Sequence, residues 1–299
     1  TGSGPGPVEG VLARDLETGD EFEVRARAVI NATGAFTDAI RRMDDPGAAP
    51  VIRPSQGVHL VLPRKFLPGD SAIMVPRTDD GRVLFAIPWL DAAVVGTTDT
   101  PIPGVDLEPR AQEEEIDFLM THTARYLDED PTPDDVLSVF AGIRPLVAPG
   151  GGDDTAAVSR EHALMVSPSG LITIAGGKWT TYRKMAEDVV DHAAVLGGLD
   201  SRDCPTKSLA IEGGTDPEHA GDAEPDDAIV EHAVRVEMAR TVDDVLARRT
   251  RWLLLDARKA SAAAPAVAAR MAELLGRDAE WAADQTRAFQ ELARGYVLS

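Results

Sequence analysis

Apolar residues recur with helical spacing at Tyr182, Met185, Ala186, Val189, Val190, Ala193 and Leu196, directly after a short apolar run from Leu171 to Ala175 and a Gly176-Gly177 break. The pattern predicts a buried strand that turns through two glycines into a helix, which Gly197-Gly198 closes. Such a turn presents unpaired backbone N–H groups and the positive end of a helix dipole. It suits a group that becomes negative. Lys178 adds a full positive charge there, and Thr180 or Thr181 can cap the helix.

Upstream, Val11 to Leu16 and Phe22 to Ile30 read as strands joined by the turn residues Glu17-Thr18-Gly19-Asp20, a hairpin. The second strand leads into Asn31-Ala32-Thr33-Gly34-Ala35-Phe36, where Gly34 leaves room for close approach to the backbone. From Val51 the pattern changes to short strands, Val58 to Leu62, Ala72 to Val75, Val83 to Ile87 and Ala92 to Gly96. Turns rich in Pro, Gly and Asp separate them, as in a mostly antiparallel sheet. Glu113 to Leu127 predicts an amphipathic helix with Ile116, Leu119, Met120 and Tyr126 on or near one face, and Val136 to Phe140 predicts another strand. Asp200 to Lys207 is a linker, and Glu212 to Asp227 is acidic, rich in Gly and Pro, and reads as a mobile loop. Beyond it the chain reads as wholly helical. Helices are expected over Ala228 to Ala239, from a capping box at Thr241-Val242-Asp243-Asp244, over Ser261 to Leu275 before Gly276, and from Asp278 through Ala293.

The 299 residues, 43% of them hydrophobic, are enough for a substantial core and two domains. Fifty acidic residues against 30 basic ones give a net charge of −20, a field that repels nucleic acid and anionic lipid. The acidic, Lys-poor surface suits a high-salt cytoplasm, and a GC-rich genome that favours Arg explains the Lys deficit equally well. Cys204 is the sole cysteine, so no intramolecular disulfide can form, and without a placed His partner it reads as inert. Thr1 to Pro7 carry no signal-peptide pattern, and no run approaches about 18 apolar residues. The expectation is a cytoplasmic chain in a reducing compartment, with room for peripheral contact at the inner face of the cell membrane.

Taken by its residues alone, His59 in Gln56-Gly57-Val58-His59-Leu60-Val61 reads as a structural, hydrogen-bonded histidine. Arg144 and Arg160 at strand ends offer planar, permanently charged forks for phosphate oxygens, although isolated arginines in an acidic protein mostly form surface pairs. The residue strings are more specific than the geometry. GGKWTTYRKMAED (residues 176–188) resembles a signature of the FAD-dependent glycerol-3-phosphate dehydrogenases, within the D-amino-acid-oxidase-like flavoprotein superfamily. DAAVVGTTDTP (91–101), AGIRPL (141–146), VSREH (158–162) and VDDVLARRTRWLLLD (242–256) resemble the same family in order along nearly the whole chain.

That resemblance implies a fold of class α/β plus α+β. An incomplete Rossmann-like FAD domain would take residues 1–45 and 151–199, an inserted, mostly antiparallel β substrate cap 46–150, an acidic linker 200–227 and an all-helical domain 228–299. It implies FAD held by Thr33, Gly34, Gly176, Gly177, Lys178, Trp179, Thr180 and Thr181; catalytic roles for His59, Arg144 and Lys178; substrate contacts from His59, Arg144 and Arg160; and no metal. Arg248 and Arg249 are expected to be structural. The implied reaction is oxidation of sn-glycerol 3-phosphate to dihydroxyacetone phosphate, with electrons passed to a quinone or another acceptor, and a homodimer stays open. No GxGxxG follows an opening strand, so the expectation is the C-terminal part of a longer protein, aggregation-prone alone because apolar faces of 1–45 and 151–199 lack a partner. Two alternatives remain at this point: a related flavin oxidase or dehydrogenase acting on a 2-hydroxy acid or amine, and a non-catalytic interaction module.

Overall fold

The computed structural model describes residues 6–79, 81–127, 129–148, 162–210 and 224–298. The strands are β1 (Gly10–Arg14), β2 (Glu21–Arg25), β3 (Ile30–Asn31), β4 (Ile52–Pro63), β5 (Ile73–Val75), β6 (Leu84–Trp89), β7 (Ala92–Gly96), β8 (Thr100–Pro101), β9 (Ser138–Val147), β10 (His162–Val166) and β11 (Ile172–Gly176). The α-helices are α1 (Thr37–Asp44), α2 (Glu113–Ala124), α3 (Tyr182–Leu196), α4 (Asp227–Arg235), α5 (Trp252–Leu255), α6 (Ala257–Leu275) and α7 (Ala279–Arg294). The structure is mixed α/β, with antiparallel sheets and a helical C-terminal region. Its internal contacts form two units, one of Thr1–Ser55, Pro101–Asp106 and Ile143–Glu212, the other of Gln56–Thr100, Leu107–Gly142 and Gly213–Ser299.

In the first unit, β1 and β2 form the expected hairpin, with Val11 opposite Val24 and Ala13 opposite Phe22. The expected strand from Phe22 to Ile30 is, however, two strands in different sheets. Ala26 N still donates to Glu9 O of the hairpin side, but Val29 O accepts from Ile172 N, and β3 pairs in parallel with β11. An apolar run carries no mark of where its hydrogen-bond partner changes, so the pattern does not show the break. The sheet order is β10-β11-β3. On it lies α3, whose Val189 and Ala193 pack with Ile172 and Ile174, joined by Met185, Leu164 and Ala28. The buried stripe is narrower than expected: Tyr182, Val190 and Leu196 are more than half exposed.

In the second unit, β5, β6, β7 and β4 follow one another in an antiparallel sheet, and β9 also pairs with β4. Leu137 N donates to Val61 O and Ala148 N to Val51 O, so β9 runs antiparallel to β4. Both strands exceed their expected lengths because each extends the other. The alternation of β4 sends Val58, Leu60 and Leu62 into a core with Leu84, Ala86, Ala93, Val95, Val136, Val139 and Leu119 of α2. Burying Leu119 contributes roughly 1.5–3 kcal/mol. Leu119 and Met120 pack inward as expected, but Tyr126 is exposed, and Glu115, His122 and Thr123 are buried as well.

Glu115 is 2% exposed and fully engaged. Its carboxylate accepts from Gln56 Nε2 at 2.7 Å, Thr98 Oγ1 at 2.8 Å and Gln112 N at 3.0 Å. Thr98 Oγ1 in turn accepts from Val58 N at 3.0 Å.

The C-terminal helices enclose a core of their own that includes Val230, Leu246, Leu253, Ala260, Ala264, Met271 and Phe289. Asp226, Asp256 and Asp278 cap α4, α6 and α7, and Gly276 ends α6 with φ +65°. The expected capping box is present: Asp244 N donates to Thr241 Oγ1 and Thr241 N to Asp244 Oδ2. Arg249 donates to Glu237 O at 2.6 Å and pairs with Asp244, while Arg248 pairs with Asp243, so both arginines satisfy backbone and carboxylates as expected. Two boundaries and one helix type differ. The first helix stops at Arg235, α6 starts four residues earlier than expected behind its Asp256 cap, and residues 244–249 form a π-helix rather than an α-helix. In the same unit these helices hold the sheet through Ser138 Oγ donating to Leu253 O and Arg258 donating to Val136 O. The expected mobile loop 212–227 lies largely outside the described residues.

Replacing Glu115 by Leu leaves the Thr98 hydroxyl and Gln112 N–H without their buried acceptor, so Glu115→Leu is expected to cost roughly 1–3 kcal/mol for each donor stranded. The urea midpoint at unchanged slope measures this; Glu115→Gln, which keeps one acceptor oxygen, should lose less.

Candidate flavin site

β3 and β11 are parallel neighbours, so their carboxyl ends emerge side by side, the edge at which open α/β sheets bind ligands. Past β3, the buried Asn31 side chain shapes the loop. Its Nδ2 donates to Thr37 O at 3.0 Å, and its Oδ1 accepts from Thr33 Oγ1 at 2.7 Å. Sequence reasoning passes over Asn31; the signal that could find it is its place two residues before Thr33, where a short side-chain amide folds back on its own turn. Gly34 has φ +59°, and no atom lies within 4 Å of the position a Cβ would take.

Past β11, Gly176 and Gly177 are left-handed at φ +76° and +73°. A Cβ on Gly177 would overlap the Met185 sulfur, so the turn lies tightly on α3. Lys178 follows, exposed, then a single 3₁₀ turn, Trp179–Thr181, before α3 begins. Thr181 Oγ1 accepts from Lys178 N at 3.1 Å and donates to Lys178 O at 3.0 Å. The expected cap therefore closes the 3₁₀ turn, and no side-chain bond caps α3 itself. Trp179 is 85% exposed and stacks on Tyr182 with ring centroids 5.2 Å apart.

Beside this turn, His162 of β10 lies opposite Gly176, and its Nε2 is 3.0 Å from Asp188 Oδ2. Lys184 Nζ is 2.7 Å from the other oxygen of Asp188. The hydrogen bond from Lys184, followed by that of His162, holds the Asp188 carboxyl below the usual aspartate range. Asp188 in turn raises the Lys184 ammonium.

The first unit thus brings together Thr33, Gly34, Gly176, Gly177, Lys178, Trp179, Thr180 and Thr181 at two adjacent strand ends. Arg144 is half-buried on β9 in the same unit, three residues before Val147, which packs with Ile52 and with Ala175 of β11. Arg160 lies outside the described residues. His59 belongs to the second unit. There it sits on the sheet face opposite the α2-covered core, in a row that runs Met74, Phe85, Gly96, His59 by strand register. Its ring stacks on Phe140 at 5.2 Å and 17°. Among the described residues no group of three or more His, Cys, Asp or Glu could hold a metal ion.

Two left-handed glycines at one strand end, a third with open space above it at the next, and an exposed indole form a cradle that suits a large planar cofactor carrying phosphates. Residues 4–183 match the family model described as FAD dependent oxidoreductase, and residues 210–282 match that of the C-terminal domain of alpha-glycerophosphate oxidase. The chain belongs to the FAD-dependent oxidoreductase family. The mitochondrial glycerol-3-phosphate dehydrogenase of Mesocricetus auratus is 36% identical over 341 residues, covering 97% of this chain and 46% of the relative. That of Rattus norvegicus is 46% identical over 211 residues, covering 70% of this chain and 29% of the relative. The X-ray structure of the glycerol-3-phosphate dehydrogenase from Bacillus halodurans complexed with FAD matches with a TM-score of 0.82 at 27% identity, over 100% of this chain and 68% of that one. The chain spans about half the length of the curated mammalian relatives it matches over nearly all of its own length.

Gly177→Ala adds left-handed strain and an overlap with Met185, and is expected to cost roughly 2–4 kcal/mol. A double-mutant cycle with Met185→Ala should recover the overlap part of that loss. Asp188 gives a pH dependence of definite sign. Its folded pKa is depressed, so its contribution is complete above the ordinary aspartate value of about 3.9 and is lost as pH falls through the lower folded value. Melting temperatures followed downward from pH 6 should therefore fall more steeply in wild type than in Asp188→Asn once below about pH 4.

Proposed function

We propose that the first unit is part of a Rossmann-like FAD domain, that the sheet of the second is a substrate cap, and that the protein oxidises sn-glycerol 3-phosphate to dihydroxyacetone phosphate. The observation that carries this reading is the match of the entire chain, at a TM-score of 0.82, to a glycerol-3-phosphate dehydrogenase solved with FAD. Bound FAD supplies the acceptor for the hydride leaving the carbinol carbon. This chain's residues do the rest. The space over Gly34 and the turn at Gly176-Gly177 let backbone N–H groups approach the cofactor, with Thr33 and Trp179 to Thr181 lining the cradle. Lys178, exposed just after the glycine turn, would supply a positive charge to offset the negative charge that a flavin bound there gains on reduction.

His59 takes the hydroxyl proton, since an imidazole titrates near neutral pH. Arg144 and Arg160 hold the phosphate, for which a guanidinium offers two parallel donors. Electrons pass on to a quinone or another acceptor. The site of action is the cytoplasm, with peripheral contact at the inner face of the cell membrane; a net charge of −20 directs such contact to an apolar surface rather than a basic patch. Among the described residues no helix is long and apolar enough to cross a membrane.

The visible absorbance of the full-length protein, recorded anaerobically before and after addition of sn-glycerol 3-phosphate, tests the reading. Flavin bands should appear and bleach on addition. Bands that persist would overturn the substrate and favour a 2-hydroxy acid or an amine, and a folded preparation without flavin bands would overturn the cofactor as well. Arg144→Ala should raise KM roughly 10- to 100-fold, the loss of a charged hydrogen bond. His59→Ala should instead lower kcat by roughly 100-fold or more.

A further inference from the structure

We propose that Gly96 and Phe140 form a slot that fixes the His59 imidazole, making both of them positioning residues for proton removal; this rests on the reading of His59 as the base. β4 runs with β7 on one flank and pairs with β9 as well, and His59 faces Gly96 directly across the β4–β7 ladder. A side chain at position 96 would stand where the imidazole lies: an ideal Cβ there overlaps the ring at Cδ2, Cγ and Nε2. The ring thus reclines over β7 only because that residue is glycine. Phe85, the next residue of the row, stands on the far side of Gly96.

From β9, Phe140 stacks against the imidazole almost in plane-parallel fashion, at 5.2 Å and 17°. A phenyl ring confines the imidazole without exchanging a proton with it, so it restricts orientation and leaves the acid–base chemistry to His59. The strand register that sets this arrangement is locked next door, where Val58 N donates to Thr98 Oγ1 and Thr98 donates to the buried Glu115. A general base must lie within hydrogen-bond reach of the proton it takes, and a displacement of about 1 Å can cost 100-fold in rate. The slot supplies that constraint from two flanks of one strand.

Stopped-flow reduction of the flavin by sn-glycerol 3-phosphate, in anaerobic holoenzyme, separates the possibilities. Gly96→Ala and Phe140→Leu should slow reduction roughly 10- to 100-fold while the substrate concentration for half-maximal rate stays near wild type. Added imidazole should restore part of the rate in His59→Ala, and valine at position 96 in the double variant His59→Ala/Gly96→Val should abolish that rescue by filling the slot. Wild-type rates in Gly96→Ala and Phe140→Leu alongside a slow His59→Ala would overturn the slot and leave His59 as the base. Equal rescue with and without the valine would overturn it too. A full rate in His59→Ala would instead remove the role of His59 itself, and failure of wild-type flavin to be reduced would remove the substrate. If Gly96→Ala does not fold, the rate of Phe140→Leu decides.

Discussion

The carboxylate of Glu115, buried in the second unit with Gln56, Thr98 and Gln112 as its donors, holds three separate stretches of chain in one arrangement. A carboxylate removed from water is tolerated only with its oxygens hydrogen-bonded, and here each donor comes from a different segment. The strand β4, the turn after β7 and the first turn of α2 therefore cannot shift independently. Through Thr98 the network reaches Val58 N, one residue from His59. Side chains alternate along a strand, so a slip of one residue would send His59 into the apolar core and expose Val58, Leu60 and Leu62 together. A polar cluster in the second unit thus decides which face of the sheet carries the histidine.

The first unit meets a different constraint with backbone conformation. Its cradle needs the chain to leave two adjacent strands without side chains in the way. Gly34, Gly176 and Gly177 provide this through left-handed turns, the last pressed onto Met185. Rigidity comes from local side-chain bonds: Asn31 folds onto Thr33 and Thr37, and Thr181 clasps Lys178 from both sides. Asp188, Lys184 and His162 then tie α3 to β10 beside the turn. Thr33 and the stretch Lys178 to Thr181 are exposed, whereas Asn31, which shapes the first loop, is buried.

Elements with local causes are legible in the amino-acid pattern. The Asp278 cap, the reciprocal bonds of Thr241 and Asp244, and the Gly276 stop depend on residues within a turn of one another, and the pattern locates them. The glycine turn after β11 is legible for the same reason. The partner change between β2 and β3 is not, because hydrogen bonds to Glu9 and to Ile172 leave no trace in an apolar run. Nor are the added lengths of β4 and β9, which arise from pairing with each other, or the π-helical turn at 244–249.

By itself the sequence determined the family, the strand–glycine–helix segment and the types of chemical group on offer, since these rest on contiguous residues and local backbone preferences. Tertiary structure decided which groups meet. The pairing of β3 with β11 set the two glycine-bearing ends side by side, the register of β4 and β7 laid His59 over Gly96, and Asn31, Glu115 and Phe140 acquired their roles from contacts across the fold. Such contacts follow from burial and hydrogen-bond satisfaction among segments distant in sequence, and those conditions are settled only when the whole chain packs.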